Sequence, residues 1–137
     1  MQFVPYLFFS GTCEEALNFY KKILGGEIEG LSRWKEMPAD ADGPAVTPET
    51  ADRVMHAAFK SGAVNFMASD ATPGKQYGEG AISLSLEADD VAEAQRVFDG
   101  LAQGGTVEMP LQDMFWGAKF GMLTDKYGID WMVSCRN

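Results

Sequence analysis

The chain of 137 residues is poor in cysteine, with only Cys13 and Cys135. Two thiols cannot build a disulfide framework, so free thiols in a cytoplasmic setting are expected. Histidine is scarcer still. His56 stands alone, and any imidazole chemistry falls on that one ring. Basic residues are few: 11 Lys and Arg against 20 Asp and Glu leave a net charge of −9. That charge repels phosphate backbones and anionic lipid, which argues against a nucleic-acid or membrane partner. No apolar run approaches the ~20 residues a membrane helix needs. Met1-Gln-Phe-Val-Pro5 has neither the basic nor the apolar region of a secretory signal. The glycine-rich phosphate loops and the Gly-x-Ser-x-Gly elbow are also missing, which removes the usual support for nucleotide binding and for a serine nucleophile. What is present is globular in composition, 46% hydrophobic and 23% charged, which excludes disorder and suits one small domain.

The strongest positive signal is an internal repeat. Phe3–Ser10 is apolar and uncharged and predicts a buried strand. Thr12 and Glu15 have capping-box spacing. Ala16, Leu17, Tyr20, Ile23 and Leu24 then recur at helical intervals until Gly25-Gly26. Glu27–Trp34 predicts the next strand, followed by Val54–Lys60 and Val64–Ser69 around a Ser61-Gly62 turn. The order then recurs. Ala81–Leu86 alternates as a strand, and Asp90 and Glu93 repeat the capping spacing. Val91, Ala94, Val97, Phe98 and Leu101 form a helical stripe that stops at Gly104-Gly105. Thr106–Gln112, Gly117–Thr124 and Ile129–Ser134 complete the set, the last two joined by Asp125-Lys-Tyr-Gly128. Two βαβββ modules result, 1–72 and 80–137, linked by 73–79 within one compact domain. Glu36–Asp52, with Pro38, Pro44, Pro48, Asp40 and Asp42, breaks the echo and reads as an exposed loop, either a lid or an idle insertion.

Pro5-Tyr-Leu-Phe-Phe-Ser-Gly11, Cys13-Glu-Glu-Ala-Leu-Asn-Phe-Tyr20, Met67-Ala-Ser-Asp70, Phe115-Trp116, Phe120-Gly-Met-Leu-Thr-Asp-Lys-Tyr-Gly128 and Trp131-Met132 follow in that order. Together they resemble the vicinal-oxygen-chelate superfamily, which includes glyoxalase I and ring-cleaving dioxygenases. The closer likeness is to its PhnB-like branch, also described as 3-demethylubiquinone methyltransferase-like. The resemblance covers nearly the whole chain. It implies an α+β fold in which each module's mixed sheet curls around a concave cavity, usually completed in a homodimer. It also implies four metal-ligand positions on the first and last strands of the modules. Those positions fall near Pro5, Met67, Ser83 and Met132, none of them His or carboxylate. Thioethers suit hard divalent ions poorly, so no metal and no other cofactor is expected. The methyltransferase label finds no nucleotide loop and too short a chain, and is read as a name.

Among candidate site residues, His56 lies on the third predicted strand between Met55 and Ala57. It suits a general base or a donor to an oxyanion, and equally a structural histidine. Met67, Phe120 and their aromatic and sulfur neighbours would line an apolar pocket or simply fill the core. Phe115 and Trp116, consecutive at a strand start, would point to opposite faces, one of them toward solvent, ligand or partner. Asp70 and Asp125 stand where turns favour Asp; turn chemistry accounts for Asp125, whereas Asp70 could also face a ligand. Glu108 and Gln112 share strand parity and would orient a polar substrate from one face. Cys13 opens a helix, where the dipole lowers a thiol pKa while Glu14 and Glu15 raise it. Two functions fit this set. One is a small-molecule-binding protein that has lost the metal quartet. The other is a lyase, isomerase or transferase acting on a small carbonyl or oxyanion compound, with His56 as acid and base.

Overall fold

The computed structural model describes residues 1–38, 45–75 and 77–137. The chain divides into two units, Met1–Gln76 and Tyr77–Asn137.

The first unit contains β1 (Tyr6–Phe9), α1 (Cys13–Leu24), β2 (Glu27–Arg33), a 3-10 turn (Trp34–Glu36), β3 (Val54–Ser61) and β4 (Val64–Asp70). Its mixed sheet has the order β1-β4-β3-β2, with β1 parallel to β4 and the other pairs antiparallel. Helix α1 lies on one face because Cys13, Ala16, Leu17 and Tyr20 form its buried stripe. Tyr20 meets the edge of Phe66 at 6.0 Å, and Phe66 stacks on Phe59 at 4.9 Å. Ala57 and Ala68, both fully buried, add no bulk beneath that helix. Leu7 and Phe9 alternate inward, so Tyr6 and Phe8 fall on the opposite face.

The second unit contains β5 (Leu84–Glu87), α2 (Val91–Ala102), β6 (Thr106–Asp113), β7 (Ala118–Thr124) and β8 (Asp130–Arg136), in the sheet order β5-β8-β7-β6. Again one pair, β5 with β8, is parallel. Ala94, Val97, Phe98 and Leu101 bury the helix stripe. Gly121 on β7 makes room for the Phe98 ring, because a Cβ there would sit 2.7 Å from Phe98 Cε2. Leu123, Trp131, Val133 and Cys135 complete the buried side. Neither sheet closes into a barrel.

The repeated glycine pairs have a physical cause. A Cβ on Gly26 would collide with the carbonyl oxygen of Lys60, and one on Gly105 with that of Thr124. In each unit the chain leaving the helix thus runs against the backbone of the next hairpin, where only glycine fits.

Several sequence expectations need correction. The first strand is shorter than Phe3–Ser10, and Phe3 is exposed. Ile82 is likewise exposed, ahead of a strand that begins at Leu84. Val91 stands outside the buried stripe and is exposed. Trp34 leaves the strand for the 3-10 turn. Thr12 makes no side-chain cap on α1, so the first capping box does not form. Within the proline-rich loop, residues 39–44, including Asp40, Asp42 and Pro44, lie outside the described residues. Its described flanks are pinned: Trp34 and Lys35 donate to the carbonyls of Arg53 and Ala51 at 3.1 and 3.0 Å.

Candidate functional site

In the first unit the face turned away from α1 gathers an aromatic group. Met67 pairs with both Tyr6 and Ala58, so these side chains share that face. His56 joins them from β3. Its Nδ1 lies 3.3 Å from the Tyr6 hydroxyl, and the two ring centroids are 5.9 Å apart. Tyr6 and Phe8 are 4.9 Å apart with a 34° tilt. Tyr6 and Phe8 remain 37% and 45% exposed, unlike any aromatic on the helix side of this sheet. The result is an apolar wall with one polar ring beside it, the composition of a small-molecule surface.

Asp70 lies on the other side. It pairs with Phe9 at the end of β4 and is buried. Its Oδ1 accepts from the backbone N–H groups of Gly11 and Cys13, and its Oδ2 from that of Val54, each at 2.9 Å. The carboxylate is therefore the cap of α1, held from 57 residues away in sequence. Cys13 beside it is fully buried. Burial, then the neighbouring Asp70 and Glu14 charges, push its thiol up to about 12, which leaves no thiolate at neutral pH.

A surface cavity of about 410 Å³ adjoins that helix start, lined by Glu14, Arg33, Glu49, Asp52, Arg53 and Asp70 among others. Of these, sequence reasoning offered only Asp70 as a site residue and named Glu14 only for its effect on Cys13. Arg33 is bonded to Glu14 at 2.7 Å and to the Asp52 carbonyl at 3.0 Å, and the bond to Glu14 raises its pKa further. Lys35 bonds Asp52 at 2.8 Å and lowers the Asp52 pKa. Arg33 and Glu14 thus form one ion pair, and Lys35 and Asp52 a second.

In the second unit Gln112 pairs with Phe120 on the face away from α2. The Trp116 ring lies 5.8 Å from Phe120, and Phe115 meets Trp116 edge-on at 5.0 Å. Phe115 and Trp116 do not straddle a strand as expected. They sit in the turn between β6 and β7, closed by Gly117 N–H to Met114 O, and both are exposed. Glu108 is separate from this group, accepting from the Thr124 hydroxyl at 2.9 Å. Although β6 shifts register twice between Val107 and Gln112, Glu108 bonds Thr124 and Gln112 pairs with Phe120, and these two partners have the same parity on β7. Asp125 acts within its turn, accepting from the N–H groups of Tyr127 and Ile129, and its Oδ2 also takes the Trp131 indole N–H at 2.8 Å.

The four positions implied as metal ligands do not fit a hard divalent ion. Met67 N–H donates to Pro5 O at 2.9 Å, so that pair is adjacent, but it offers only a thioether side chain. In the second unit Met132 pairs with Ser85 rather than Ser83, which again supplies no imidazole or carboxylate. Among the described residues no three His, Cys, Asp or Glu side chains converge as a metal site. No helix among them is long and apolar enough to cross a membrane.

The family model described as 3-demethylubiquinone-9 3-methyltransferase matches residues 1–134. Protein PA1353 from Pseudomonas aeruginosa is 43% identical, with 99% of this chain and 98% of that chain covered and a TM-score of 0.85. The PhnB protein from Bacillus cereus is 33% identical over 98% and 99% of the two chains, with a TM-score of 0.80. A glyoxylase/bleomycin resistance protein/dioxygenase domain from Frankia shares the fold, with a TM-score of 0.69 at 14% identity over 100% and 98% of the chains.

Proposed function

The chain belongs to the 3-demethylubiquinone-9 3-methyltransferase family, the PhnB-like branch of the glyoxalase-type fold, and from that premise we propose that it binds a small, partly apolar molecule without a metal. The observation that carries this reading is the face formed by Tyr6, Phe8, Met67 and His56, an exposed aromatic wall with a single polar ring. The methyltransferase in the family's description is carried as a name. Each sheet has one parallel pair and a helix on one face, unlike the doubly wound parallel sheet that holds nucleotide cofactors at its switch point. The start of α1 is filled by the Asp70 carboxylate rather than open to an anion. The group Gln112, Phe115, Trp116 and Phe120 supplies a second aromatic surface for ligand or partner.

The reading includes a cytoplasmic homodimer, since Phe3, Ile82 and Phe115 are each at least 80% exposed and favour cover by a second copy. The test is native mass spectrometry of freshly purified protein, followed by titration of any co-purified molecule into wild type and His56→Ala. Binding should weaken roughly tenfold to a hundredfold with Tm unchanged, as for a lost hydrogen bond to a charged group. A variant that loses Tm but keeps affinity makes His56 structural. Chelator should leave Tm unmoved, and a drop would restore a metal.

A further inference from the structure

We infer that Tyr6 sets the tautomer of His56, so that this face offers one ring donor, Nε2–H, and selects planar apolar ligands that carry a carbonyl or carboxylate oxygen. The inference rests on the binding reading and adds to it the chemical class of the ligand and the role of Tyr6. A neutral imidazole has one N–H and one bare nitrogen, and the hydrogen bond at one nitrogen decides the state of the other. The Tyr6 hydroxyl is 3.3 Å from His56 Nδ1, and among the described residues it is the imidazole's one hydrogen-bond partner. A phenolic oxygen donates well and accepts poorly, because its lone pair is drawn into the ring. The bare imidazole nitrogen is the stronger acceptor. The hydroxyl therefore donates to Nδ1, and the proton resides on Nε2.

Two serines share the face, Ser32 paired with His56 and Ser69 paired with Phe8. Glu29 and Lys60 form an ion pair at 3.3 Å and satisfy each other. Tyr6, Phe8 and His56 present three tilted rings, and Met67 adds a polarisable sulfur. A flat ring stacked there covers the aromatic rings, and an oxygen directed at Nε2–H satisfies the imidazole donor. A ligand of the same shape without that oxygen leaves the donor unpaired and pays its desolvation.

The experiment uses the whole chain with 15N-labelled histidine, well above the ordinary histidine titration range. Proton–nitrogen correlation spectra read which ring nitrogen carries the proton. Titration then compares acetophenone with ethylbenzene, which match in shape and differ only in the carbonyl. The expected results are Nε2–H in the free protein, acetophenone shifting the Tyr6, Phe8 and His56 signals, and a roughly tenfold preference over ethylbenzene. Tyr6→Phe keeps the wall and should mix the tautomers and narrow the preference, and His56→Ala should abolish it. A proton on Nδ1, or equal binding of both probes to this face, overturns the inference and leaves the binding reading standing. If neither probe moves these three rings, the binding reading falls with it.

Discussion

The two units close the start of their helices by different routes. In α2 the closure is local: Asp90 accepts from Glu93 N–H at 2.7 Å, and the Glu93 carboxylate returns to Asp89 N–H at 2.8 Å. In α1 the equivalent Thr12 makes no cap, and a carboxylate from the far end of β4 does the work. The same Asp70 also takes Val54 N–H at the start of β3, so one side chain ties two segments, the entry to α1 and the start of β3, to β4. Local capping stabilises a helix whether or not its sheet is assembled. Remote capping makes α1 depend on a docked β4. Equal element order therefore conceals unequal autonomy.

The largest expected effect tests that contrast. Asp70→Ala strands three backbone donors, two beside a buried helix start, and should cost at least ~3 kcal/mol in urea unfolding. A loss no larger than that of Asp90→Ala would break the comparison. Gly26→Ala and Gly105→Ala probe what the units share. Both should lose ~2–3 kcal/mol, because the added methyl meets a carbonyl oxygen in each. A large loss at one and none at the other would make the echo a coincidence of sequence. Asp90→Ala removes only a local cap and should cost about 1 kcal/mol.

The smallest effect near neutral pH comes from Cys13, whose counterpart in α2, Val91, is exposed. Below the ordinary thiol value of 9.0 both folded and unfolded states keep the proton. Above it the unfolded state loses its proton first, so stability should fall as pH rises from 9.0 toward about 12. Cys13→Ala should flatten that part of the profile, measured by urea unfolding across the alkaline range. An unchanged slope would show that the thiol contributes nothing.

Helix stripes, glycine stops and the order of strands were legible because they depend on neighbours within a few residues. Ala16, Leu17 and Tyr20, or Ala94, Val97 and Phe98, declare a buried face by spacing alone. The turn role of Asp125 was readable for the same reason, with Gly128 three residues on. Tyr6 was not. Tyr6, Leu7, Phe8 and Phe9 are all apolar, so their alternation gives no sign of which face is open. Phe115 and Trp116 were misplaced because a four-residue turn ending at Gly117 resembles a strand start.

Composition and periodicity by themselves determined two βαβββ modules, their helix faces and the single histidine, while the shortage of metal-ligand side chains at the expected positions followed from the family resemblance. Tertiary structure alone decided that Asp70 is a cap, that Cys13 is sealed beneath it, and that His56 meets Tyr6 on the face away from the helix. The reason is range. A stripe is written in residues three or four apart, whereas the Asp70–Cys13 and Tyr6–His56 partnerships span 57 and 50 residues and exist only once strand register has brought them together.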